Sequence, residues 1–171
     1  DARWEAVDAL LGSRRGSGRL HGAPVTHVYA TFTFTGLDES RDIRTQPHLD
    51  GLGCLGDVGW YAVRAALRVY GWEPPARVTG HAGAQRYDNG VLRQCGATLE
   101  WPGGRVAVVE CSFDRGFENR VVASSARGRL ELPDAFLPAS DRGAGFTVVG
   151  PAGRERRRWV PTPVPQASRM W

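Results

Sequence analysis

The sequence predicts an α+β fold, an open and mainly antiparallel β-sheet with helices packed on one face. Two observations carry this. One strongly alternating strand, Val25 to Phe34, is followed by one long helical stretch, Cys54 to Tyr70. After that helix, short runs of strand-forming residues recur between tight turn signals, the pattern of a meander.

The elements follow in order. Trp4, Val7, Leu10 and Leu11 recur at helical spacing over residues 2–11, and Gly12-Ser13 ends the pattern. From Val25, Val28, Ala30, Phe32 and Phe34 fall on one side of a strand, while His27, Tyr29, Thr31 and Thr33 fall on the other. His27 is therefore read as a polar-face residue and not as a ligand. Residues 36–53 are rich in Gly, Asp and Pro and form a long loop, a kind of segment that often carries function. Leu55, Val58, Ala62, Ala65, Ala66 and Val69 make one apolar helix face, which Gly71 is placed to terminate.

Strands are expected at 76–84, 91–101, 105–113, 118–124 and 128–132, with weaker ones near 145–149 and 156–160. Pro102-Gly103-Gly104 and Arg127-Gly128 are hairpin turns. Pairing Trp101 with Arg105 across the first turn sets Cys95 opposite Cys111. Residues 1–150 are read as the domain and 151–171 as an extended, proline-rich tail.

Composition excludes several chemistries. The 171 residues carry 22 basic side chains, all arginine. With no lysine, this chain cannot form a Schiff base on lysine or supply the lysine of a phosphate-loop ATPase. The net charge of +4 is mild and the arginines are scattered, apart from Arg154-Glu-Arg-Arg-Arg158. No nucleic-acid partner is expected, and steep salt dependence of binding would be the sign of one. Cys54, Cys95 and Cys111 show no metal-ligand spacing and leave one thiol over from any disulfide, so no metal is expected and a reducing cytoplasm is the simpler setting. No stretch is apolar over the length of a membrane span. The chain opens at Asp1 without an initiator Met, which suggests a fragment of a longer protein.

The most informative stretch is Asp50 to Tyr61, where Gly51, Gly53, Gly56 and Gly59 surround the helix entry. Interior glycines cost a helix about 1 kcal/mol each, so they imply close approach of a neighbour or ligand. Asp57 and Tyr61 lie four apart, near the positive helix end. The phenol could act as proton donor and acceptor, with Asp57 orienting it. Alternatively Asp57 caps the helix, the glycines permit tight packing and Tyr61 fills the core edge. Gly51-Leu-Gly53 followed by Gly56 spells G-x-G-x-x-G, but no strand-helix-strand unit surrounds it, so a dinucleotide loop is rejected.

These residues also carry a resemblance. Val28-Tyr-Ala-Thr-Phe-Thr-Phe34, Asp42-Ile-Arg44, Asp57-Val-Gly-Trp-Tyr61, Trp101-Pro-Gly-Gly-Arg105, Glu110-Cys-Ser-Phe113, Gly128-Arg-Leu-Glu-Leu-Pro133 and Pro165-Gln166 stand in an order and spacing similar to the C-terminal domain of the Gfo/Idh/MocA oxidoreductases, especially the dihydrodiol dehydrogenase subgroup. The resemblance implies a two-domain enzyme in which an N-terminal Rossmann domain binds NADP or NAD. This chain would then supply the substrate wall and a homodimer surface on the open sheet. It implies substrates that are sugar-like or cyclic diols. It also implies a catalytic Tyr61 with Asp57 beside it, working with a lysine of a Glu-Lys-Pro motif that has no counterpart here. Arg44 and Trp60 are the substrate-binding candidates. A non-catalytic self-association module, using the face that carries His27, Tyr29, Thr31 and Thr33, is the alternative.

Overall fold

A computed structural model describes residues 2–13, 16–81, 83–137 and 144–160. Helix α1 is Ala2–Leu11, followed by strands β1 (Arg19–Leu20) and β2 (Ala23–Thr33). A 3-10 turn at Ile43–Thr45 lies in the long loop. A π-helical turn, Leu55–Gly59, leads into α2, Trp60–Val69. Eight strands follow: β3 (Arg77–Gly80), β4 (Gln85–Arg86), β5 (Leu92–Trp101), β6 (Arg105–Ser112), β7 (Glu118–Ser125), β8 (Gly128–Leu132), β9 (Ala144–Val149) and β10 (Glu155–Val160).

The sheet runs β10-β9-β8-β7-β2-β6-β5-β3, with β1 added to β2 and β4 to β5. It is open and mainly antiparallel, as expected. The hairpin register is also the expected one, pairing Trp101 with Arg105 and Cys95 with Cys111. One pairing departs from the meander: β2 runs parallel to β6, through His27–Val106 to Thr33–Ser112, and antiparallel to β7. Strand β2 is thus inserted between the two later hairpins β5–β6 and β7–β8, a crossover that local periodicity does not encode. The sheet also continues past residue 150, because β10 pairs with β9 from Glu155–Val149 to Val160–Ala144. The first half of the expected tail is therefore sheet, and residues 161–171 lie outside the described residues.

The core lies between the sheet and the helices. Val28, Ala30 and Phe32 of β2 meet Ala62, Ala65, Ala66 and Val69 of α2, with Val7 and Leu11 of α1 beside them. The opposite side of β2 is less open than its alternation implies. Thr31 and Thr33 are buried, and the Thr33 hydroxyl donates to the Gly116 carbonyl (2.6 Å) where the β6–β7 loop folds over it.

Helix α1 does more than bury apolar residues. Arg3 is fully buried and donates to the Asp134 carbonyl and, at 2.7 Å, to that of Ala135. Trp4 Nε1 donates to the same Ala135 oxygen (3.1 Å). Arg68 of α2 grips Asp8 with both Nε and Nη2 (2.7–3.1 Å), and the Ser13 hydroxyl donates to Asp8 as well. Helix α2 ends where expected. Gly71, at φ +68°, takes the left-handed conformation, and the Trp72 N–H reaches back to Leu67 O (2.7 Å) to close the last turn.

The glycines at the helix entry pack against the protein itself. Gly53 has φ +53°, and a Cβ there would lie 2.3 Å from the Leu92 carbonyl oxygen. A Cβ on Gly59 would lie 2.8 Å from Cys111 Sγ. Gly59→Ala gains about 1 kcal/mol of helix propensity and loses about 1–3 kcal/mol to overpacking. A net destabilisation of about 1 kcal/mol is expected in urea denaturation, and a stabilised variant would mean the sulfur moves aside freely.

Candidate functional site

The long loop delivers Arg44 to the helix entry. Asp42 caps the short 3-10 turn by accepting from Arg44 N–H (3.0 Å), and its carboxylate also receives Arg44 Nη1 at 3.3 Å. The Thr45 hydroxyl donates to the Glu39 carbonyl (3.0 Å), and Asn89 Nδ2 donates to the Thr45 carbonyl (2.8 Å), tying the loop to the turn before β5. From there Arg44 Nε donates to Asp57 Oδ2 at 2.9 Å.

Asp57 is therefore held by Arg44 and makes no hydrogen bond to Tyr61 among the described residues. The Trp60 N–H bonds Leu55 O, five residues back, so the helix entry is a wider π-helical turn. Such turns are frequent at functional sites. Burial holds the Asp57 carboxyl above its ordinary range, although the Arg44 charge opposes that shift.

Tyr61 is packed by aromatic rings. Its ring lies 5.7 Å from those of Phe32 and Phe136, and 5.8 Å from that of Trp60. No described residue hydrogen-bonds its hydroxyl, so the phenol group has no structural partner among the described residues. Tyr61 lines a cleft of about 190 Å³ together with Trp4, Arg64, Arg68, Ala135 and Phe136. Ligand pockets run to roughly 300–1,000 Å³, so this cleft has the size of one wall of a site. Trp60 is about half exposed, with the Arg64 guanidinium 5.1 Å above its ring.

The structure joins Arg44 to Asp57 by a direct bond and Trp60 to Tyr61 by a ring contact. Arg64 was missed, although it lies three residues after Tyr61, a spacing that places both on one helix face. Cys95 and Cys111 were expected to face each other across the hairpin, but Cys54 was not placed with them. The fold gathers their sulfurs within 4.8 Å of one another, directly under the π-turn.

A family model described as the GFO/IDH/MocA C-terminal domain matches residues 22–131. The chain belongs to this family. Among Gfo/Idh/MocA proteins it is 38% identical over 112 residues to D-xylose 1-dehydrogenase (NADP(+)) 2 of Haloferax volcanii, covering 66% of this chain and 33% of that protein. It is 30% identical over 82 residues to trans-1,2-dihydrobenzene-1,2-diol dehydrogenase of Sus scrofa, covering 48% of this chain and 24% of the relative. The chain therefore spans a third or less of these two curated relatives.

The fold matches a 3-ketoreductase from Actinomadura kijaniata, solved with NADP and TDP-benzene. The TM-score is 0.74 at 21% identity, over 95% of this chain and 46% of that one. It also matches an aldose-aldose oxidoreductase from Caulobacter crescentus solved with glycerol, at TM-score 0.70 and 27% identity, over 85% and 43%.

Among the described residues, the G-x-G-x-x-G match does not form a nicotinamide-dinucleotide cradle. Gly53 and Gly56 of the G-x-G-x-x-G match are packed against Leu92 and Leu52, and the segment lacks the strand-to-helix turn that presents backbone N–H groups to a pyrophosphate. No helix among the described residues is long and apolar enough to cross a membrane.

Proposed function

We propose that this chain is the C-terminal, substrate-binding part of an NADP- or NAD-dependent oxidoreductase acting on a sugar-like or cyclic diol alcohol or its ketone. The observation that carries this reading is the Tyr61 hydroxyl, which has no partner in the described chain and borders a cleft too small to enclose a substrate alone. A Rossmann domain elsewhere in the full protein would hold the cofactor and close the site. This chain's part is to present Tyr61 Oη for the proton of the substrate hydroxyl, and to set one wall with Trp60 and Phe136. Arg44 and Asp57, bound to each other, hold the helix entry and stand beside the site as polar contacts for substrate.

The curated relatives support the substrate class, since one is a xylose dehydrogenase and another a dihydrodiol dehydrogenase. The outer sheet face, where the Tyr29 hydroxyl donates to Glu110 (2.7 Å) and Arg120 lies 5.9 Å over the Tyr29 ring, is the proposed homodimer surface. Three free thiols suit a reducing cytoplasm.

The test is an assay of the full gene product against aldoses and cyclic diols, following NADPH or NADH. Turnover is expected from the full protein, and no measurable nucleotide binding from residues 1–171 alone. Tight nucleotide binding by residues 1–171 alone would overturn this division of labour.

A further inference from the structure

The three cysteines come from three separate segments. Cys54 ends the long loop just before the π-turn, Cys95 lies on β5 and Cys111 on β6. Their sulfurs form a closed triangle, with Sγ–Sγ distances of 3.3 Å (Cys95–Cys111), 3.6 Å (Cys111–Cys54) and 3.9 Å (Cys54–Cys95). An ion bound at the usual zinc–thiolate length of about 2.3 Å in tetrahedral geometry needs sulfurs roughly 3.8 Å apart. The observed triangle lies close to that size. A disulfide would use two of the three thiols and leave the other without a role.

Two further features fit a bound ion. The space beside Cys111 Sγ is kept clear by Gly59, whose Cβ would lie 2.8 Å from that sulfur. On the other side, Cys95 and Cys111 line an apolar crevice of about 430 Å³ between α2 and the β3–β5 end of the sheet. The crevice gives an entry path and room for a water as fourth ligand, while Cys54 closes the inner side.

We propose that Cys54, Cys95 and Cys111 form a trithiolate site for one soft cation of the zinc(II) or copper(I) class, fastening the helix entry to the sheet beneath Asp57 and Tyr61. Thiolate sets select these ions over hard cations. Each thiol that ligates releases its proton to solvent, so binding tightens as pH rises. This inference does not depend on the proposed oxidoreductase reaction.

The test uses the full protein, reduced and stripped of metal. Cobalt(II) serves as the zinc probe and copper(I) is titrated separately, both followed by thiolate-to-metal absorption and by counting free thiols. One equivalent is expected to bind and to mask three thiols. Visible cobalt bands of a four-coordinate ion identify the zinc class, and binding of copper(I) alone identifies the three-coordinate class. Cys95→Ser, at the half-buried position, is expected to weaken binding more than about 100-fold, beyond the cost of losing an outer partner. Cys54→Ser and Cys111→Ser should do the same, and Cys95→Ser decides the matter if either fails to fold. Three thiols that stay titratable beside one equivalent of metal would overturn the proposal. So would unchanged binding in Cys95→Ser, or an intact mass showing a disulfide that re-forms in the presence of the metal.

Discussion

Tyr61→Phe in the full protein is expected to lower turnover by about 100-fold or more, the lower end of what a positioned proton donor contributes. That corresponds to about 2.7 kcal/mol of barrier. The same change should leave stability within about 0.5 kcal/mol of wild type. Phenylalanine keeps the ring that packs on Phe32 and Phe136, and the lost hydroxyl has no hydrogen-bond partner among the described residues. The two readouts together separate chemistry from packing. A large stability loss with normal turnover would make Tyr61 a core residue, and unchanged turnover would remove it from the reaction. Arg44→Ala serves as the contrasting variant. It leaves the half-buried Asp57 carboxylate unpaired and is expected to act mainly on KM, because neither residue bonds the phenol.

The largest stability effect is expected at Asp8. Asp8→Ala removes both bonds from Arg68 Nε, the bond from Nη2 and the bond from Ser13, and leaves Arg68 without a counter-charge while only 20% exposed. Breaking a buried pair costs about 3–5 kcal/mol, and the partial exposure of Arg68 places this variant near the lower end, about 3 kcal/mol. For a domain of this size Tm should fall by about 6–12 °C in calorimetry. Glu131→Ala is the control. Its pair with Arg129 is exposed on the sheet surface, where solvent and salt screen the charges, so its loss is expected to change stability little. Equal losses in the two variants would show that α1 is not held by Asp8.

Much of the fold was legible because local patterns dictate it. Alternation in β2, the glycine turns of the two hairpins and the 3.6-residue apolar face of α2 are short-range signals, and each matches an observed element. The Cys95–Cys111 register followed from counting outward from one turn. What stayed hidden depends on distant segments. Nothing near Cys54 shows that its thiol reaches β5 and β6, because helical periodicity carries no register with a distant strand. The parallel pairing of β2 with β6 is likewise set by the whole topology. The Arg44–Asp57 bond was not legible either, since it joins a loop residue to the helix entry thirteen positions later. Arg3 at position 2 of α1 would be read as a solvated charge, yet the carbonyls of residues 134 and 135 give it a buried seat.

The place of β2 in the sheet also bears on how the chain reaches this structure. Hairpins β5–β6 and β7–β8 close across short turns and can form early, whereas β2 must find β6 and β7 from far away in sequence. Until it docks, each hairpin presents a bare edge of N–H and C=O groups, and the apolar sides of Val109 and Val121 lie open beside them. Docking of β2 is therefore expected to be the slow step of refolding, and the period before it the one in which the chain is most prone to self-association. Refolding yield should accordingly fall as protein concentration rises, while the folded protein, with β2 seated, withstands the same concentrations.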